Sequence, residues 1–120
     1  MVRTKRVYDP VEESDGDRFL VSRSWARPYS KKKLAITDWL KTLAPSKELH
    51  DDWQERKISW EEYTLRYHEE MRGQREAIRD LAKRAKRGTI TLLCYEYEDN
   101  PCCHRHLLKR LIENEERNVE

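Results

Sequence analysis

Five side chains able to handle protons, metal ions or anions fall close together near the C-terminus: Cys94, Glu96, Cys103, His104 and Arg105. A thiol beside a histidine is the pairing used for nucleophilic catalysis, with Cys103 or Cys94 as the nucleophile and His104 or Glu96 as the acid or base. Arg105 supplies a planar guanidinium suited to a carboxylate or phosphate. These residue types admit thiol chemistry on an anionic substrate without specifying a reaction. The same thiols and imidazole could also ligate zinc, through Cys94, Cys103 and His104. Zinc is the lesser reading here, because the chain has no CxxC pair and the Cys94 spacing matches no standard finger.

These residues need a strand, a loop and a helix to hold them. Ile90 to Leu93 is an apolar, β-branched run ending at Cys94, and the two-residue period of a strand puts Cys94 and Glu96 on one face. Asn100 suits an N-cap and Pro101 a first helical position, which predicts Cys102 and Cys103 in the first turn of a helix. A thiol there would meet free backbone N–H groups that lower its pKa and bind oxyanions. Leu107, Leu108, Leu111 and Ile112 define the apolar face of that helix. His104 lies near the middle of this face, Cys103 and Arg105 flank it, and Cys102 points away.

A second stretch is placed to converge on the first. Phe19-Leu20-Val21 reads as a buried strand leading into Arg23, Trp25 and Arg27, so its arginines should reach the same sheet edge as Cys94 and hold an anion. A basic strand near Val7 precedes it. Between them, residues 9–17 carry Asp9-Pro10, several acids and Gly16, and read as a mobile loop. Ser30 is expected to cap a helix bearing Ile36, Trp39, Leu40 and Leu43 and ending at Pro45. Ser46 caps a shorter helix with Leu49 and Trp53, and Ser59 with Glu62 forms a capping box before the stripe Trp60, Tyr63, Tyr67 and Met71. That stripe is read as core rather than as a base-stacking surface. A further helix carries Ile78, Leu81, Ala82 and Ala85, ends its basic run Lys83 to Arg87 at Gly88, and offers a local patch for nucleic acid. Residues 113–120 read as a fraying tail.

Length and composition bound the rest. At 120 residues the chain is expected to be one α/β domain, with a small, largely parallel sheet covered by helices. With 25 Lys and Arg against 23 Asp and Glu, no global field announces nucleic acid, so that partner would need a local basic surface. Disorder is disfavoured by four Trp, six Tyr and a net charge of +2. Three cysteines, no signal peptide and no long apolar run point to a soluble, cytoplasmic protein without a membrane span. The Lys and Glu richness hints at a thermophilic source. No cofactor or oligomeric state is implied.

The pattern Cys94, Glu96, then Cys103-His104-Arg105 after an apolar strand resembles the C-terminal signature of the domain-of-unknown-function 488 (DUF488) family. Arg6-Val7-Tyr8-Asp9-Pro10, the strand into Arg23, Trp25 and Arg27, and Trp39-Leu40 through Leu43-Ala44-Pro45-Ser46 resemble its short members. The resemblance implies an α/β fold and a shared site, and supplies no reaction. Ser22 stands where the family usually has an aspartate, and Ala26-Arg27-Pro28 replaces a proline-arginine-glycine.

Overall fold

The computed structural model describes residues 1–25, 33–95 and 100–119. Its centre is a four-stranded sheet, all parallel, in the spatial order β1 (Val2–Arg6), β4 (Ile90–Cys94), β2 (Asp17–Leu20) and β3 (Asp38–Trp39). The helices are α1 (Lys47–Gln54), α2 (Trp60–Met71), α3 (Arg75–Arg87) and α4 (His104–Glu116). This is the α/β domain with a small parallel sheet expected from the sequence.

Strand alternation decides what each face carries. Phe19 and Val21, with Ile90 and Leu92, join the larger core with Tyr63, Tyr67, Leu81 and Leu108 from the helices. Leu20, Leu93 and Val7 point the other way, into a second cluster with Leu34 and Ile36. Both faces are therefore covered, as a parallel sheet requires. Cys94 continues the Ile90-Leu92 row and lies on the helix-covered face.

Local signals account for most elements. The Ser46 and Ser59 hydroxyls accept from Leu49 N and Glu62 N, capping α1 and α2. Tyr63, Tyr67 and Met71 are buried, so the aromatic stripe of α2 is core. Residues 72–74 form a short 3-10 turn around Gly73, which bends α2 into α3.

The helix expected over residues 30–45 is not formed in its described part. Ala35 takes φ 51°, outside helical space. Leu34 and Ile36 are buried between exposed neighbours, Asp38–Trp39 pairs with β2, and Lys41–Leu43 is a single 3-10 turn. The free edge of β2 explains the difference: Thr37 N and Leu40 N donate to Arg18 O and Leu20 O at 2.7 and 2.8 Å. Those ladder bonds outweigh a helical spacing that an extended segment followed by a tight turn satisfies equally well. The proposed Ser30 cap lies outside the described residues.

Within residues 9–17, Glu13–Asp15 forms a 3-10 turn and Asp15 is buried. Gly16 follows at φ 64°, and a Cβ there would stand 2.0 Å from the Thr89 carbonyl oxygen. Gly16→Ala is therefore expected to destabilise by at least ~2 kcal/mol through strain alone, seen as a lower urea midpoint at unchanged slope. A midpoint equal to wild type would mean that this turn does not sit against Thr89.

Candidate functional site

The carboxyl ends of β2 and β4 and the entry to α4 meet at one place. Cys94 is the last residue of β4, Cys103 is the N-cap of α4 and His104 its first residue. The helix thus opens three residues later than its Asn100-Pro101 signal predicts, and Cys102 lies outside it. Asn100 spends its side chain locally: Oδ1 accepts from Cys102 N at 3.0 Å, closing a turn before the helix.

Cys94, Cys103 and His104 are all buried, and one potential ligand atom from each lies within 4.8 Å of the others. His104 is held from two sides. Its Nε2–H donates to the Val21 carbonyl at 2.6 Å, and the Tyr67 ring packs against it at a centroid distance of 5.8 Å. A carbonyl only accepts, so the proton of a neutral ring sits on Nε2 and the Nδ1 lone pair is left for another partner. The Cys103 thiol is pushed well above its ordinary pKa, first by its hydrogen bond with Cys94 and then by burial; Arg105 opposes both more weakly.

Above this trio is a pocket of about 400 Å³. Cys94, Cys103 and His104 line its floor, Ser22 and Arg23 come from the end of β2, and Cys102 and Tyr95 complete that side. The opposite wall is α1, which contributes Lys47, His50, Asp51 and Trp53, with Tyr63 of α2 beside them. Arg23 Nη1 donates to Pro45 O at 3.2 Å, which ties the end of β2 to the start of α1. Lys47 pairs with Asp51 at 2.7 Å, and that bond is the first cause of an Asp51 pKa below the usual carboxylate range.

The sequence-predicted residues separate here. Arg23 joins the thiols and His104 at the pocket. Trp25 packs edge-on against Trp39, 5.5 Å between centroids, beside the second core cluster. Arg105 is completely buried, and its Nη1 donates to Lys5 O at 3.1 Å and towards Cys94 O at 3.5 Å. It fastens α4 to the ends of β1 and β4 and does not line the pocket. Glu96 and Arg27 lie outside the described residues. Lys47 and His50 were not singled out by sequence, and Trp53 and Tyr63 were read as packing residues only. A signal did exist, because Lys47, His50 and Asp51 stand at i, i+3 and i+4 on a helix starting just after Pro45-Ser46.

The family model described as "Inactive DUF488-N3 subclade" matches residues 1–120. The chain belongs to the DUF488 family. Among its relatives, uncharacterised protein YeaO of Escherichia coli strain K12 is 37% identical over 92 residues, which cover 77% of this chain and 80% of the relative. Uncharacterised protein Rv3073c of Mycobacterium tuberculosis strain H37Rv is 34% identical over 90 residues, covering 75% of each. No solved structure matches. The Ser22 hydroxyl donates to Ser24 O at 2.6 Å and shapes the turn beside the pocket. No helix among the described residues is long and apolar enough to cross a membrane.

Proposed function

We propose that this DUF488 chain binds a small anionic molecule, of the size and character of a phosphorylated or nucleotide-like ligand, in the pocket above Cys94, Cys103 and His104, without performing thiol catalysis on it. The observation that carries this reading is the meeting of Arg23, Lys47 and His50 in one concave site at the carboxyl ends of parallel strands. Only Asp51 opposes them in charge among the described lining residues. Trp53 and Tyr63 add flat apolar surface for a ring, and the volume suits a ligand of that size. Burial of both thiols, and the family's printed description as inactive, favour binding over covalent chemistry.

The competing reading, a nucleic-acid module built on the N-terminal basic strand, finds less support. Lys5 is buried on Asp15, Arg3 donates to Ser14, and the Arg6 Nε donates to Tyr95 O. Arg84 pairs with Asp17 within the other basic cluster.

Thermal melts with inorganic phosphate, pyrophosphate and AMP test the proposal against sodium chloride at matched ionic strength. At a hundredfold excess over Kd, a ligand should add about 2.7 kcal/mol of stability. Arg23→Ala should weaken that ligand by roughly 10- to 100-fold, the range for losing a charge-assisted hydrogen bond, and Lys83→Ala should leave it unchanged. If no anion raises the melting temperature beyond the salt control, the proposal is lost.

A further inference from the structure

The geometry points to a zinc site at the floor of the pocket, formed by the thiolates of Cys94 and Cys103 and the Nδ1 of His104, with its fourth position open to the pocket. The two sulfurs and a ring nitrogen of His104 already lie within 4.8 Å of one another, and the bond of Nε2 to Val21 O leaves Nδ1 as the nitrogen to ligate. A tetrahedral zinc with bonds of about 2.3 Å to sulfur and about 2.0 Å to nitrogen holds them roughly 3.5–3.8 Å apart. Closing that difference takes side-chain rotation of about an ångström.

Three further features fit the ion. His104 already donates its other ring N–H to a backbone carbonyl, Val21 O at 2.6 Å, the outer contact that fixes the tautomer and aims a ligating imidazole. Charge also balances: one dication, two thiolates and a neutral imidazole sum to zero, so a complex on three buried side chains carries no net charge into the core. Finally, the ligands come from the end of β4 and the start of α4, both anchored by the sheet and by Arg105, so the site sits on rigid elements. The two thiol protons are released when the metal binds. Cys102, half-buried in the pocket wall, is not one of the trio.

The site shares the pocket of the anion reading but does not depend on it. Protein purified without chelator under reducing conditions should contain stoichiometric zinc. After stripping, cobalt(II) added to protein with fully titratable thiols should give intense thiolate-to-cobalt charge-transfer absorption and the visible bands of tetrahedral coordination. Cys103→Ser, Cys94→Ser and His104→Gln should each weaken zinc by more than about a hundredfold, beyond the 10- to 100-fold typical of losing an outer-shell partner. Cys102→Ser should keep the cobalt spectrum, and so should Arg23→Ala, which by contrast weakens anion binding. Because the wild-type spectrum is itself decisive, a ligand variant that fails to fold leaves the test intact. Absence of the charge-transfer band in reduced wild type, or its loss in Cys102→Ser to the same degree as in Cys103→Ser, overturns the site.

Discussion

Asp15→Ala is expected to destabilise the protein by about 3–5 kcal/mol, the cost of removing one partner from a buried ion cluster. The Asp15 side chain has no exposed surface, and its carboxylate receives Lys5 Nζ at 3.1 and 3.2 Å, Arg18 Nη1 at 2.5 Å and the Glu12 backbone N–H at 3.1 Å. Lys5 and Arg18 are themselves only 8% and 2% exposed. Without the carboxylate, buried Arg18 loses its counter-charge and Lys5 is left with the exposed Glu12. The backbone of Asp15 is held as well, since Thr91 Oγ1 donates to its carbonyl at 2.7 Å. Asp15 therefore fastens the acidic loop across the face of the sheet that carries Lys5, Arg18 and Thr91.

The sign of the pH dependence follows. Burial raises the Asp15 pKa, but the Glu12 N–H, Lys5 and Arg18 together outweigh it, and the folded pKa lies below the ordinary 3.8. A depressed folded pKa means that the carboxylate contributes its full stability above the unfolded value and loses it as pH falls through the folded one. Urea midpoints followed from neutral pH to below about pH 3.9 should fall on acidification in wild type and fall less steeply in Asp15→Asn. Identical profiles for the two proteins would show that this carboxylate does not hold the loop.

Asp15 also shows why part of the fold was legible in sequence and part was not. The helices after Ser46, Ser59 and before Gly88 announced themselves because caps and apolar stripes are local. The strand at Ile90 did so because it is apolar on both faces. Residues 9–17 read as a loop from Pro10, Gly16 and their acids, and no local rule says that one acid of that run will meet Lys5, Arg18 and Thr91. Two of these three are remote enough in sequence that only the sheet unites them. Trp39 failed for a related reason: its apolar spacing suits a helix, while the unpaired edge of β2, unseen in the local sequence, claims it as strand. In the site, residue type identified Cys94, Cys103 and His104. The α1 wall with Lys47 and His50 was missed because a helix read for its apolar residues Leu49 and Trp53 does not reveal what its polar residues face. The late start of α4 turned on Asn100, whose side chain can cap a helix or close a turn and here does the latter.

The second large effect is expected at Arg105. It is the largest of the fully buried side chains among the described residues. Truncating it to alanine opens a cavity between α4 and the ends of β1 and β4 and removes the donor to Lys5 O, for an expected loss of about 3–5 kcal/mol, as for other large-to-small core changes. Arg105→Lys should recover only part of this, because lysine refills less of the cavity and its strongly hydrated ammonium costs more to bury than a guanidinium. Arg23→Ala should do the opposite, costing about 1 kcal/mol of stability, in line with one donor to the Pro45 carbonyl lost at a half-buried position that water can reach, while removing most of the anion affinity. Paired urea melts and phosphate titrations on the two variants separate the roles. A fully stable Arg105→Ala that no longer binds the anion would return Arg105 to the ligand site, and the assignment of the pocket wall to Arg23, Lys47 and His50 would then be incomplete.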